Sequence, residues 1–163
     1  MTRLGTAWAR GERLKLVRAA LKPGDRVLDC GCGDGWLVGQ LRSDGVKAYG
    51  TDLRGGNAFG DVRALPFREG TFDAVVALEV LEHVDCVAEI RRVLKPGGRL
   101  IVTMPTLGLE RLWDFLIAAK VIQPRYTPHV NFWRVRDLPM RCVVERKCLL
   151  GLNQFGVLVN EAG

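Results

Sequence analysis

Val27-Leu28-Asp29-Cys30-Gly31-Cys32-Gly33-Asp34-Gly35-Trp36 is the stretch on which the fold turns. A short apolar run ends in three alternating glycines, and an amphipathic segment, Trp36 to Leu41, opens directly behind them. A strand that passes through glycines into a helix is a βα turn built to hold a ligand. Glycine is needed there because the chain must reach positive φ and because the ligand meets bare backbone. The spacing then selects the ligand. A dinucleotide turn reads GxGxxG, its third glycine allowing close helix–strand packing. Here Trp36 holds that third place, and the order is DxGxGxG, with Asp29 two residues ahead of the first glycine. A carboxylate at that point repels a pyrophosphate but accepts a hydrogen bond from an ammonium group. The pattern favours a cationic, amino-acid-bearing ligand.

Working outward, strands and helices alternate. Leu14 to Leu21 has helical spacing and stops at Lys22-Pro23-Gly24-Asp25, ahead of a strand at 26–29. A second strand, 46–51, ends at Asp52. Phe72 to Leu78 (FDAVVAL) is a near-continuous apolar run, as in a strand covered on both faces. A helix is expected over 84–94, closed by Lys95-Pro96-Gly97-Gly98, and another buried strand over 99–104. Residues 109–121 (LERLWDFLIAAKV) read as an amphipathic helix whose stripe Leu109, Leu112, Trp113, Leu116 and Ile117 is core, or else a substrate pocket or dimer face. An irregular stretch leads from Pro124 to Pro139, and segments 140–148 and 155–160 form a C-terminal β-hairpin. The expected architecture is α/β: a doubly wound, mostly parallel, seven-stranded Rossmann-like sheet with helices on both faces.

Composition is consistent with this. At 163 residues, 48% hydrophobic and 26% charged, the chain suits one folded domain spanning 1–163 and neither a disordered tail nor a fibrous repeat. No apolar run approaches the roughly 20 residues that cross a bilayer, and the Arg-rich start lacks a signal-peptide core, so a soluble, cytoplasmic protein is expected. Five cysteines without CxxC pairs, and histidines only at 83 and 129, argue for free thiols and no metal site. The net charge of +6 is unevenly placed. Residues 1–26 carry seven basic side chains against Glu12 and Asp25, and residues 120–148 carry seven against Asp137 and Glu145. Such flanks suit RNA or another anionic partner as well as an ordinary solvated surface.

Several motifs in order carry a family resemblance. Val27 to Gly35 resembles motif I of the class I S-adenosylmethionine-dependent methyltransferases, and Gly50-Thr51-Asp52-Leu53 the acidic end of their second strand. Gly60 to Phe67 (GDVRALPF) resembles the D-x-x-x-L-P-F segment, Phe72 to Val84 motif IV and its loop, and Leu94 to Leu100 the turn into the next strand. The likeness covers about residues 14–105, with a weaker match at 128–138. It is closest to the small ubiquinone/menaquinone-biosynthesis type, the "type 11" methyltransferase domain.

The resemblance implies S-adenosyl-L-methionine as cofactor and S-adenosyl-L-homocysteine as product. It places Gly31, Cys32 and Gly33 against the amino-acid end with Asp29 near the ammonium, and Asp52 on the ribose hydroxyls. It puts Asp61 on the adenine amino group and the Val62 backbone on the ring, Leu78 near the methyl group, and Trp36 and Leu53 as apolar walls. One departure stands out: Arg54 to Gly60 is too short for the helix that family members place there, so an open adenine side is expected.

Methyl transfer is an in-line displacement at an activated sulfonium, so positioning and desolvation carry much of the rate, and a base is needed only for a protonated acceptor. Glu79, Glu82, His83 and His129 are the candidates. No Asn/Asp-Pro-Pro-Tyr/Phe sequence follows the 72–78 strand and no Pro-Cys nucleophile occurs, which disfavours DNA amino-methylation and cytosine C5 chemistry. A small metabolite, a lipid-like precursor, a peptide side chain or RNA remains open as acceptor, and so do monomer and homodimer. Two other readings compete. One is a non-catalytic cofactor-binding or partner-activating subunit of the same fold. The other is a nicotinamide or flavin oxidoreductase, disfavoured by Trp36 and Asp29.

Overall fold

The computed structural model describes residues 3–53, 60–109, 112, 115 and 130–161. Helix α1 (Arg3–Ala20) leads to β1 (Arg26–Cys30), α2 (Trp36–Ser43), β2 (Lys47–Thr51), β3 (Phe72–Leu78), α3 (Val87–Val93) and β4 (Leu94–Pro105). A 3-10 turn at Val135–Asp137 precedes β5 (Arg141–Cys148), and a second at Leu149–Gly151 joins it to β6 (Asn153–Val159).

The described strands form one mixed sheet of six, in the order β2-β1-β3-β4-β6-β5. β1 pairs in parallel with β2 and β3, β3 in parallel with β4, and the β5–β6 hairpin adds antiparallel through β6. The hairpin is therefore as expected, but the count is six, not seven, among the described residues. Between β2 and β3 the described residues hold no strand. Residues 60–70 bury Val62 and Leu65 and run through turns. Their backbone groups find partners on α3: Leu65 N–H donates to Glu89 (2.9 Å), while Arg92 donates to the carbonyls of Phe67 (2.8 Å) and Leu65 (3.0 Å). A segment whose polar groups are satisfied by helix side chains adds no rung to a sheet.

Alternate strand residues feed two cores. Leu14 and Val17 of α1 and Leu37, Val38 and Leu41 of α2 cover one side of the sheet with Val27, Ala74, Val76, Ile101 and Phe155. Val87, Ile90 and Val93 of α3 cover the other with Leu28, Val75, Ala77, Leu100 and Leu158. β3 contributes to both, which accounts for its unbroken apolar sequence. Helix α3 starts at Val87 and not at Val84, because residues 81–86 form a turn and loop at the site. The predicted 109–121 helix falls mostly outside the described residues. Of its stripe, Leu109 is half-buried while Leu112 is 41% exposed, which removes Leu112 from the core. No described helix is long and apolar enough to cross a membrane.

After β1 the chain turns to β2 on one side, then crosses to β3 on the other. That reversal opens a crevice at the carboxyl ends of β1 and β3, where ligands of open α/β sheets bind.

Candidate functional site

The glycine loop occupies that crevice. Its entry is tied to β2 by Gly31 N–H and Cys32 N–H, which both donate to the Thr51 carbonyl (2.8 and 3.1 Å). Gly31 has φ +72°, and a Cβ there would stand 2.7 Å from Val80 Cγ2, so no other residue fits without displacing the loop after β3. Gly33 has φ +52° and open space where a Cβ would be. Its N–H donates to Asp52 Oδ2 at 2.9 Å, which orients the carboxylate at the end of β2 toward the loop. Cys32 is buried and fills the space beside Gly50, where a Cβ would meet its Sγ at 2.8 Å.

Three carboxylates surround this turn. Asp29, 4% exposed on β1, is pushed up to about 8, first by burial and then by the charges of Asp52 and Asp34. Asp34 accepts from Trp36 N–H (3.2 Å) and pairs with Arg10 of α1 (2.6 Å), whose guanidinium also lies 5.2 Å from the centre of the Trp36 ring. A ligand carrying positive charge relieves the mutual repulsion of Asp29 and Asp52; an anionic one adds to it. Trp36 is half-buried at the mouth and Leu53 is exposed. Both are available as apolar walls.

On the far side, the Asp61 carboxylate is engaged by its neighbour. Arg63 donates from Nη2 (2.6 Å), Nε (3.0 Å) and its backbone N–H (2.9 Å), and this holds the acid below its usual range. Val62 is buried beside it. Residues 54–59, on which the open adenine side was read, lie outside the described residues.

The carboxyl end of β3 is more tightly built than its sequence suggests. Leu78 is half-buried, and Glu79 has the left-handed φ of 59°. Glu79 N–H donates to the Thr103 carbonyl (3.0 Å), while its Oε1 accepts from Thr103 Oγ1 (2.8 Å) and Asn153 Nδ2 (2.6 Å) and lies 3.3 Å from Arg13 of α1. Glu82, 4% exposed, is raised to about 8, first by burial and then by the Glu79 charge. Its Oε2 has no hydrogen-bond partner among the described residues, and its Oε1 is 4.0 Å from His83 Nε2. The main chain here is clasped from the chain's second half: Glu82 O accepts from Val130 N–H (2.8 Å) and Asn131 N–H (3.1 Å), and Leu81 O from Asn131 Nδ2 (3.0 Å). His129, the other histidine candidate, lies outside the described residues.

Thus Asp29, Gly31, Cys32, Gly33 and Asp52 are brought together, and Glu79, Glu82 and His83 follow β3 one crevice wall away. Sequence reading missed Arg10, Arg13, Thr103, Asn131 and Asn153. Nothing in their local sequence marks them, since each reaches the site across 24 to 74 positions.

Comparison with known proteins agrees with this geometry. Residues 28–102 match the family model described as "Methyltransferase domain". Over 126 residues the chain is 35% identical to demethylmenaquinone methyltransferase of Beutenbergia cavernae, covering 64% of this chain and 52% of that protein. The chain spans about half the length of that relative. PH0226 of Pyrococcus horikoshii superposes with a TM-score of 0.70 at 23% identity, covering 94% and 90% of the two chains, a likeness of fold. Phosphoethanolamine N-methyltransferase 2 of Haemonchus contortus, solved with S-adenosyl-L-methionine, gives 0.54 at 26% identity over 68% of this chain and 32% of that one. Over residues 28–102 the chain thus resembles the methyltransferase domain of the class I, type 11 kind.

Proposed function

We propose that this chain transfers a methyl group from S-adenosyl-L-methionine to a nucleophilic acceptor, leaving S-adenosyl-L-homocysteine. When bound, the sulfonium supplies an already activated methyl group. The observation that carries the reading is the carboxylate arrangement of the glycine loop: buried Asp29 with Asp52, the latter aimed by Gly33 N–H at 2.9 Å. That donor and acceptor set fits a ligand with an ammonium at one end and a ribose diol in the middle, and opposes a pyrophosphate.

In this reading Asp29 takes the ammonium and Asp52 the ribose hydroxyls, while Gly31 and Gly33 leave the backbone bare and Cys32 backs the turn. Trp36 and Leu53 shield the apolar parts. Asp61 and Val62 serve the adenine, with Arg63 competing for the Asp61 carboxylate. Leu78 faces the methyl group. Glu79, held by Thr103, Asn153 and Arg13, positions the loop after β3. His83, backed by Glu82, is the group that receives a proton when the acceptor brings one. His129 is the second candidate for that role. A doubly wound sheet and a cytoplasmic location belong to the same reading. The non-catalytic alternative draws no support from these features.

Calorimetry with S-adenosyl-L-methionine, S-adenosyl-L-homocysteine and NAD tests it. Binding of both sulfur compounds but not NAD is expected, and Asp52→Ala abolishes it with the fold retained. If neither sulfur compound binds, the proposal fails. Transfer of labelled methyl to cell extract, divided into RNA, protein and small-molecule fractions, then identifies the acceptor class.

A further inference from the structure

The two basic flanks of the sequence meet different fates. In the first, Arg10 pairs with Asp34 (2.6 Å), Arg13 with Glu79 (3.3 Å), Lys15 with Glu12 (2.8 Å) and Arg18 with Asp44 (2.7 Å). Arg26 lies over the Tyr49 ring at 4.9 Å. Arg10 and Arg13 are thus paired with acids that border the crevice, and Lys15 and Arg18 with acids elsewhere, so these four charges are neutralised within the chain.

The second flank differs. A cleft of about 430 Å³ opens between the end of β4 and the outer hairpin, lined by Thr106, Arg134, Arg136, Glu145, Arg146 and Lys147. Its one acid, Glu145, is ion-paired to Arg136 (3.2 Å). Among the described residues Arg134, Arg146 and Lys147 have no carboxylate partner, Arg146 lying over the Phe155 ring at 5.1 Å, which leaves three positive charges at the cleft without a counter-charge. The floor is rigid: Gln154 Nε2 donates to Pro105 O (2.9 Å) and Trp133 O (3.2 Å), and its Oε1 accepts from Val135 N–H (3.3 Å). Thr106, at this cleft, keeps a buried Oγ1 with no hydrogen-bond partner among the described residues. A buried hydroxyl left unpaired costs free energy that a ligand oxygen recovers. Thr106 follows β4 directly, three residues after Thr103, whose hydroxyl holds Glu79.

We propose that this cleft binds the phosphate group of a small phosphate-bearing methyl acceptor. Guanidinium forks match the paired oxygens of a phosphate, and an excess of three charges selects a multiply charged anion over a lone carboxylate. At about 430 Å³ the open cleft suits a small phosphate-bearing molecule and not the extended groove that a nucleic-acid strand requires. The assignment to the acceptor rests on the methyltransferase reading; the anion site itself does not.

Calorimetry on the full chain, in low-salt buffer free of phosphate and with pyrophosphate as probe, tests the site. The double variant Arg134→Ala/Lys147→Ala should weaken binding at least tenfold. Thr106→Val, which changes no charge, should weaken it about threefold, and Glu145→Gln, which releases Arg136, should tighten it severalfold. Arg68→Ala, outside the cleft, should leave it unchanged. Each variant should bind S-adenosyl-L-methionine as the parent does, which shows that it has folded. No pyrophosphate binding at millimolar concentration, or a double variant within twofold of the parent, overturns the site. A single-stranded RNA oligonucleotide binding more than tenfold tighter than pyrophosphate overturns the small-acceptor assignment. Pyrophosphate binding without cofactor binding sinks the proposed function and leaves the anion site standing; the converse sinks only the site.

Discussion

Arg13 on α1 stands 3.3 Å from Glu79 at the end of β3, and so joins the N-terminal helix to the residue that turns the chain into the candidate active site. The same carboxylate oxygen holds Thr103 of β4 and Asn153 of β6, so four separate elements meet on one atom. Removing it leaves Asn153 Nδ2 and the Arg13 guanidinium half-buried without their acceptor. Glu79→Ala is therefore expected to cost about 2–4 kcal/mol, as for a buried network that loses its charged member. Arg13→Ala should cost about 1 kcal/mol. Urea denaturation measures both, and a Glu79→Ala variant as stable as the parent would remove the positioning role.

Glu82 predicts a pH dependence. Its carboxyl has an ordinary value of 4.5 and is raised to about 8 in the folded chain. Between those values the unfolded chain has released this proton and the folded one still holds it. Stability from this group is thus complete below about pH 4 and declines as pH rises toward 8. Glu82→Gln keeps the shape and removes the titration. The variant should gain on the parent steadily from pH 5 to pH 8 in thermal melts, and a constant difference would refute the assignment.

Asp29 should couple cofactor binding to pH in the opposite sense. Its carboxyl, raised to about 8, is mostly protonated at pH 6 in the free protein. A bound ammonium requires the ionised form, so affinity should rise with pH between 6 and 7.5, by at most about tenfold per unit. Asp29→Asn should flatten that slope and weaken binding. Calorimetry at three pH values in buffers of different ionisation enthalpy reads both the slope and the released proton.

Gly31→Ala separates clash from backbone strain. The added Cβ would meet Val80 Cγ2 at 2.7 Å, at a φ of +72°. A loss of about 2–4 kcal/mol is expected, from overpacking together with the left-handed conformation. Pairing it with Val80→Ala should recover the packing part and leave about 1 kcal/mol of strain. Full recovery would mean that φ plays no part.

Much of this molecule was legible in its sequence because its determinants are local. The apolar run of β3 and the glycine cluster after β1 each state their structure within ten residues. Elements drifted where the decisive partner is remote. Residues 60–67 carry a family-like motif but no local sign of their partners, and only Glu89 and Arg92 of α3, 24 and 27 positions from Leu65, show where its hydrogen bonds go. Glu79 reads as a catalytic acid, and only the approach of α1, β4 and β6 reveals an oxygen already taken. Periodicity and φ requirements at short range carry the βα order and the glycine turn. Only the fold shows that Arg10, Arg13 and Arg18 have carboxylate partners while Arg134, Arg146 and Lys147 have none among the described residues. Ion pairing depends on what the fold brings within a few ångströms, and separation along the chain carries no trace of that.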